Sequence, residues 1–419
     1  MNSIKKPKLG RAHLHAEFAD FKEFDKTTRQ FELPLPLGYG GQLTVPVYVN
    51  EFWTSKQRAG NALHEISYRA CFKPQLPRFF IERLTKPGER VYDPFLGRGT
   101  TAIEAALLGR VPVGCDINPL SVVLTRPRLA PPKEKQVLER LAEIDLSKGE
   151  EFPPELLVFY HPETLVQLTA LRRFFSSRTK AGTMDGVDEW IRMVGVNRLT
   201  GHSNGFFSVY TLPPNQAVSV KAQEKINRDR NQIPPPRDVA KLIAKKSRGL
   251  LKELDPAIRR TIAKVADSAQ FVTSSAAATP AIEDNSVSLV VTSPPFLDVV
   301  DYKTDNWLRC WFLGIDVASV AITSAKKLIE WQKAMTAVFH ELHRVLKPGG
   351  HIAFEVGEVR GGTIKLEETV LHCGLDAGLT PELVLINDQE FTKTANCWGV
   401  DNMSHGTNTN RIVLFQRTN

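Results

Sequence analysis

The stretch DPFLGRGTTAIEAALLGRVPVGCDINPL, residues 93–120, decides the fold class. A short apolar strand over residues 91–95 leads into it, and the two glycines of LGRG then make a tight turn. Good helix formers follow the turn, the next glycine ends the helix, and VPVGCDI is typical of a second strand. A strand–helix–strand unit with such short connections predicts a parallel sheet covered by helices.

The alternation of strands and helices resumes near the C-terminal end, where SVSLVVTSPPF, the helical MTAVFHELHRVL, the strand HIAFEV and the strand RIVLFQR follow one another. Between the first strand–helix–strand unit and SVSLVVTSPPF, proline-rich stops surround helical pieces such as ETLVQLTALRRFF, so that region is expected to be an insertion. The expected class is therefore α/β, a doubly wound and mostly parallel sheet with a mainly helical inserted domain. The expected divisions are an N-terminal arm over 1–50, a first half over 51–129, the insertion over 130–268 and a second half over 269–419.

Composition sets broad limits on the class of protein. The 419 residues are 42% hydrophobic and 24% charged, which is ordinary for a globular protein. The net charge of +8 favours a polyanionic partner. The five cysteines form no CxxC pair and are expected to be reduced thiols of a cytoplasmic protein. The sequence contains neither a signal peptide nor a run of 18 apolar residues, so no membrane association is expected.

Two acidic residues indicate what the glycine turn binds. Asp93 heads the turn, and Asp116 ends the second strand, where a carboxylate suits the hydroxyls of a ribose. The turn has no third glycine three residues later and the chain has no GxxxxGK[ST] motif, so neither a dinucleotide nor a P-loop site is expected. A ribose-bearing ligand without a pyrophosphate, such as S-adenosylmethionine, fits better. The alternative is a plain tight turn without a ligand.

The segment VVTSPPF, residues 290–296, leaves a strand through two prolines. The Ser293 side chain and a carbonyl near Pro294 could accept the hydrogens of an exocyclic amine, and the stiff prolines would keep these acceptors aimed. Phe296 could stack on a base turned out of a helix. The alternative is a strand that ends in a Pro-Pro turn, with Phe296 in the core.

Together, DPFLGRGTT and TSPPF resemble the S-adenosylmethionine-dependent DNA amino-methyltransferases, chiefly the cytosine-N4 type, with a Rossmann-like fold. The resemblance implies cofactor contacts at Phe72, Pro74, Asp93, Phe95, Gly97, Gly99, Thr100, Thr101, Asp116, Asn118 and Pro119. It implies a catalytic loop made of Ser293, Pro294, Pro295 and Phe296. The chain departs from the family at the end of the third strand, where Ser274 or Ser275 replaces the usual acidic residue. Its cofactor turn also precedes the Ser-Pro-Pro segment, whereas many members have the opposite order.

The insertion is the expected reader of the DNA target. Residues 192–264 contain 15 Lys and Arg against 5 Asp and Glu, which is the footprint of a phosphate-binding surface. Within it, an almost uncharged stretch is rich in polar and aromatic residues that could read base edges. The candidate DNA-binding residues are Arg198, His202, Asn204, Asn215, Gln216, Lys245, Lys246 and Arg248. The alternative is an ordinary solvated helix face.

The expected function is site-specific methylation of cytosine N4 in double-stranded DNA, with a flipped target base and no metal. His340 and His343 are not part of an HExxH motif, and the absence of a Pro-Cys dipeptide disfavours carbon-5 methylation. Methylation of adenine N6 in DNA, or of RNA, stays open, as does a non-catalytic nucleic-acid-binding protein with this fold. A cognate restriction endonuclease is a candidate partner, the oligomeric state is open, and a bacterial protein of this kind would lie at the nucleoid.

Overall fold

The computed structural model describes residues 11–38, 40–53, 60–69, 71–212, 217–295, 305–320, 327–357, 365–388 and 409–418. Within these residues the strands form one nine-stranded sheet. The strands are Arg29–Pro36 (β1), Gln42–Asn50 (β2), Arg90–Asp93 (β3), Val111–Asp116 (β4), Gln270–Thr273 (β5), Val287–Thr292 (β6), Leu346–Val356 (β7), Thr380–Asp388 (β8) and Thr409–Gln416 (β9).

The strand order across the sheet is β1-β2-β8-β9-β7-β6-β3-β4-β5. Without the N-terminal pair and β9, this is the doubly wound order 3-2-1-4-5-6, in which β3 is the first strand and β6 the fourth. The chain therefore reverses its direction of winding between β3 and β6, which are parallel neighbours. Ligands of doubly wound sheets bind at this switch point, beyond the carboxyl ends of the strands. The glycine turn and the Ser-Pro-Pro segment follow the carboxyl ends of β3 and β6.

Strands β1 and β2, which the sequence places in an arm over residues 1–50, form an antiparallel pair at one edge of the same sheet. The inner strand β2 runs parallel to β8, with Val47 opposite Val384. Pro34 and Pro36 lie in the outer strand β1. Proline has no N–H to donate to a neighbouring strand, and an edge strand tolerates this because one of its sides has no partner.

Helices cover both faces of the sheet, which confirms the doubly wound α/β class. The helices are Arg11–Ala19 (α1), Gln75–Leu84 (α2), Thr100–Leu107 (α3), Leu120–Thr125 (α4), Glu134–Glu143 (α5), Pro162–Lys180 (α6), Gly186–Arg198 (α7), Val220–Asp229 (α8), Val239–Leu251 (α9), Pro256–Ala266 (α10), Trp307–Leu313 (α11), Leu328–Val345 (α12) and Leu366–Asp376 (α13). One apolar cluster joins α1 and α2 to the sheet, and another joins α12 and α13 to its opposite face. No helix within the described ranges has the length and apolarity needed to span a membrane.

Helices α4 to α10 occupy the chain between β4 and β5 and have a core of their own. The fully buried Trp190 belongs to this core, and its indole N–H donates to the Ser247 hydroxyl at 3.0 Å. Helix α11 joins the same core through Leu308 and Phe312. A mainly helical insertion between β4 and β5 is thus present, while the four expected divisions and their bounds stay a prediction.

Candidate active site

A cavity of about 260 Å³ opens at the switch point, and both sequence motifs line it. Its wall contains Asp93 and Gly97 from the glycine turn together with Ser293 and Pro295 from the Ser-Pro-Pro segment. The two motifs are about 200 residues apart in the chain but share one pocket, because β3 and β6 are neighbours in the sheet. One small molecule can therefore touch both.

The glycine turn depends on two left-handed residues. Gly97 has φ +50° and Gly99 has φ +76°, a region that residues with a Cβ adopt at a cost. Gly99 caps the start of α3, and a Cβ there would lie 2.3 Å from the Oγ1 of Thr125 on α4. Glycine is thus required at position 99 by both the backbone conformation and the packing against α4.

The Asp93 carboxyl ties the ends of β3 and β6 together. Its Oδ1 accepts hydrogen bonds from the Thr292 hydroxyl at 2.6 Å and from the Phe95 amide at 3.1 Å. The side chain is 2% exposed, and burial raises the pKa of Asp93 to about 7 against the opposing effect of these hydrogen bonds. Asp93 is therefore a link between the two motif loops as well as part of the cavity wall.

The Asp116 carboxylate organises the other side of the turn. One oxygen accepts the Gly97 amide at 2.8 Å and the other accepts the Asn118 amide at 2.9 Å. Burial raises the pKa of Asp116, while these backbone hydrogen bonds oppose the rise. A carboxylate has about four acceptor positions, so Asp116 can still accept hydroxyl groups of a ligand.

Residues 66–69, 71 and 72 form a segment beside the cavity, and Tyr68, Cys71 and Phe72 line its wall. Arg98 of the glycine turn holds this segment, since its guanidinium donates to the Ile66 carbonyl at 3.0 Å and to the Phe72 carbonyl at 3.4 Å. The fully buried Arg128 in turn donates to the Arg98 carbonyl. Burial, with Arg98 nearby, lowers the pKa of Arg128 to about 9.

The Ser-Pro-Pro segment is held at both ends. The Ser293 hydroxyl hydrogen-bonds the carboxylate of Glu355, which lies near the end of β7. Glu355 also accepts a hydrogen bond from the Asn410 side chain, and burial raises its pKa against these two hydrogen bonds. At the other end, the Trp331 indole N–H donates to the Pro295 carbonyl at 3.0 Å.

Helix α12 supplies a wall that the sequence patterns did not indicate. Its residues that line the cavity are Trp331, Ala334, Met335, Ala337 and Val338. Ser275, Ala276 and Ala277, which follow β5, also line the cavity, where the sequence departs from the family pattern. The pattern MTAVFHELHRVL predicts this helix, but nothing in it shows which face meets the cavity.

Most of the predicted cofactor and catalytic residues lie at the cavity. Those in its wall are Phe72, Asp93, Phe95, Gly97, Thr100, Asp116, Asn118, Ser293 and Pro295. Pro74, Gly99, Thr101, Pro119 and Pro294 are near it in the chain but outside its wall. Of these, Thr101 donates its hydroxyl to the Val291 carbonyl at 3.0 Å and so fastens α3 to β6. Phe296 lies outside the described residues.

Three of the predicted DNA-binding residues lie at or just after the end of α7. The Arg198 guanidinium lies 4.0 Å from the centre of the Phe206 ring and donates to the Asn197 side chain at 2.8 Å. Burial lowers the pKa of Arg198 to about 10. The His202 ring also contacts Phe206, and Asn204 is exposed. Asn215 and Gln216 lie outside the described residues.

The other three are on α9. Lys245 and Arg248 are on its exposed face, where the Arg248 guanidinium lies 2.7 Å from a carboxylate oxygen of Glu134. Lys246 points the other way, since its side chain is 14% exposed and lies 3.7 Å from Glu65. Burial lowers the pKa of Lys246 to about 8. Of the three, Lys245 and Arg248 are the better placed to meet a phosphate.

A family comparison agrees with this geometry. The DNA methylase family model, which covers both adenine-N6 and cytosine-N4 enzymes, matches residues 25–124. These residues include β1, β2, the cavity-lining Tyr68, Cys71 and Phe72, and the glycine turn. This part of the chain is similar to DNA methylases. The sequence resemblance to DNA amino-methyltransferases is thereby confirmed, without a choice between N4 and N6.

Several proteins similar to this chain carry the name type II methyltransferase. M.BsoBI from Geobacillus stearothermophilus is 24% identical over 60% of this chain and 52% of its own length. M.MvaI from Kocuria varians is 32% identical over 22% of this chain and 20% of its own length. The chain thus matches about half of the first relative and a fifth of the second.

Among solved structures, TrmN from Thermus thermophilus aligns with 83% of this chain and 50% of its own, at 12% identity and a TM-score of 0.32. The fold assignment of this chain therefore rests on its own strand order.

Proposed function

We propose that the chain transfers a methyl group from S-adenosylmethionine to the exocyclic N4 amine of a cytosine flipped out of double-stranded DNA. The observation that carries the proposal is the single cavity at the switch point, whose wall contains both Asp116 and Ser293. The first is at the end of the strand where a nucleoside ribose would bind, and the second heads the segment suited to an amine. A methyl donor and its acceptor would meet there.

The residues of the cavity fit a nucleoside cofactor. Asp116 keeps acceptor capacity for ribose hydroxyls, and Asn118 lies beside it. Apolar side chains that could enclose an adenine ring are Phe95, Ile117 and Val338. Tyr68, Cys71 and Phe72 would cover the methionine end. S-adenosylmethionine, when bound, supplies an electrophilic methyl group on a sulfonium.

Ser293 would orient the target amine. When Glu355 is ionised it can only accept, and the Ser293 hydroxyl then donates to it and keeps its lone pairs for an incoming N–H. Accepting the hydrogens of the amine favours a pyramidal nitrogen whose lone pair faces the methyl group, and a buried, fixed acceptor does this better than water does. Ser-Pro-Pro-Phe, rather than an Asp- or Asn-initiated segment, favours cytosine N4 over adenine N6 by family resemblance.

The helical insertion would bind the DNA. Lys241, Lys245 and Arg248 follow one another on the exposed face of α9 at the spacing of a single helix side. An exposed basic stripe of this kind suits phosphates. A cognate restriction endonuclease is the expected partner of such an enzyme, as the name type II methyltransferase of the relatives suggests.

The test is transfer of tritium from labelled S-adenosylmethionine to duplex DNA, followed by digestion and identification of the methylated nucleoside by mass. Ser293→Ala is expected to lower transfer by roughly 10²-fold or more, since it removes a positioned acceptor. Ser176→Ala, an exposed serine on α6, is the matched control and is expected to be fully active.

N4-methylcytosine as the product supports the whole proposal. N6-methyladenine would overturn the choice of base and keep the reaction. Label in RNA alone, or in no nucleic acid at all, would overturn the assigned function.

A further inference from the structure

Trp331 contacts the proposed catalytic segment directly. It lies in the first turn of α12 and is 3% exposed, and its ring forms part of the cavity wall. Its Nε1–H donates to the Pro295 carbonyl oxygen at 3.0 Å. The contact crosses 36 residues of chain and joins the segment to a helix that packs on the sheet.

The segment needs such a contact because of its prolines. Pro294 and Pro295 have no backbone N–H, so neither can be held by donating to a neighbouring strand. Carbonyl oxygens and side chains are the remaining points of attachment. Glu355 uses the side chain of Ser293, and Trp331 uses the carbonyl of Pro295. The segment is thereby fixed on both sides of its proline pair.

The contact also bears on how an amine would be received. It turns the Pro295 carbonyl toward the indole of α12. Within residues 293–295, this leaves the Ser293 hydroxyl oxygen and the carbonyls of residues 293 and 294 as the acceptors that can face a substrate.

We propose that Trp331 is a positioning residue for methyl transfer, whose indole N–H holds the Ser-Pro-Pro segment so that Ser293 faces the target amine. This inference rests on the proposed function. Loss of the indole N–H should affect the catalytic step rather than cofactor binding, because this N–H contacts the segment and a replacement that keeps the ring system still fills the cavity wall.

The experiment removes the N–H and keeps the ring. A benzothienylalanine, in which sulfur replaces the indole N–H, is introduced site-specifically at position 331. The matched control has the same residue at position 190, where Trp190 also loses one buried hydrogen bond, to Ser247, away from the cavity. Methyl transfer to DNA, KM for DNA and the Kd for S-adenosylmethionine by calorimetry are measured for wild type and both variants. Ultraviolet resonance Raman difference spectra between wild type and Trp331→Phe report the hydrogen bonding of the indole without any need for activity.

The expected result at position 331 is a roughly 10- to 100-fold fall in kcat, as for a slightly misplaced catalytic group, with the Kd for S-adenosylmethionine within about twofold of wild type. The control is expected to keep the wild-type kcat. An inactive wild type would refute the proposed function and the inference with it. With an active wild type, the inference alone is overturned by equal kcat values for the two variants, by a loss confined to cofactor affinity, or by a Raman spectrum of an indole without a hydrogen bond.

Discussion

Gly99→Ala should destabilise the glycine turn, and the structure gives two contributions to the loss in the free energy of unfolding. The first is the left-handed backbone at φ +76°, which costs a residue with a Cβ about 1–2 kcal/mol. The second is overlap, because the new Cβ would lie 2.3 Å from Thr125 Oγ1 and 2.7 Å from its Cγ2. Overpacking of a buried site typically costs about 1–3 kcal/mol. The total expected loss in the free energy of unfolding is therefore about 2–5 kcal/mol.

Gly88→Ala separates the two parts. Gly88 has φ +85°, and a Cβ at this position would meet nothing within 4 Å, so only the backbone part, about 1–2 kcal/mol, should appear. Thr125→Ala tests the overlap, because it removes both close atoms, and Thr125 Oγ1 has no hydrogen-bond partner to lose. In the double variant, Thr125→Ala should restore about 1–3 kcal/mol of the loss.

Urea denaturation of the four variants and wild type, followed by circular dichroism and tryptophan fluorescence together, gives the stability cycle. Calorimetry measures the affinity of the variants for S-adenosylmethionine. Gly99→Ala should bind it more weakly because Gly97 and Thr100 are displaced, whereas Gly88→Ala should bind it like wild type. Equal destabilisation of the two glycine variants, or additive effects of Gly99→Ala and Thr125→Ala, would refute the reasoning.

Three further outcomes follow from other parts of the molecule. Gly374→Ala in α13 should lose about 1–3 kcal/mol of stability, since its Cβ would lie 2.2 Å from a buried phenylalanine ring on β9. Because burial raises the pKa of Asp93 to about 7, its ionisation weakens the fold as pH rises from about 4 to 7. The free energy of unfolding of Asp93→Asn, measured by urea denaturation, should therefore rise relative to that of wild type by about 1.4 kcal/mol per pH unit between pH 5 and 7. The double variant Lys245→Gln/Arg248→Gln should bind duplex DNA more weakly, with a slope of log K against log salt shallower by roughly 2.

Each of these outcomes has a matched control. Gly249→Ala, in α9 with nothing within 4 Å of its Cβ, should gain about 0.5–1 kcal/mol from helix propensity; a loss equal to that at Gly374 would contradict the packing argument. A stability difference that is constant with pH would contradict the raised pKa of Asp93. Lys86→Gln, an exposed lysine before the amino end of β3, should leave DNA binding unchanged, and an equal effect there would contradict a specific surface on α9.

The sequence predicted the central βαβ unit well, because its signals are local. The strand, the glycine turn and helix α3 each have their own punctuation within residues 91–109, and the structure has β3, α3 and β4 where these signals lie. The stretch KPGG, residues 347–350, reads as a turn between the helix MTAVFHELHRVL and the strand HIAFEV. In the structure these residues fall within the bounds of β7, and the pairing of β6 with β7 skips from Leu346 to His351. An irregular strand partner is invisible in a local pattern.

The residues that sequence patterns missed are those brought in by distant pairing. Glu355 ends an apolar strand and has no motif of its own; it meets Ser293 because Thr292 lies opposite Phe354 in the parallel ladder. An acidic residue at the carboxyl end of a strand was the one signal that could have found it. Trp331 contacts the segment because of the face that α12 turns to the sheet, which amphipathic spacing alone does not orient.

The pairing of β2 with β8 constrains the order in which the sheet can fold during synthesis. Val47 cannot pair until Val384 has been synthesised, and β9 has to enter between β7 and β8 after both have been synthesised. Until then the nascent chain presents open sheet edges made of apolar residues, which can associate with other chains. These edges are covered only by long-range strand pairing, which is slow. Chaperone dependence during synthesis and a slow final step in refolding are the consequences to expect for a sheet whose last strand inserts between two strands made before it.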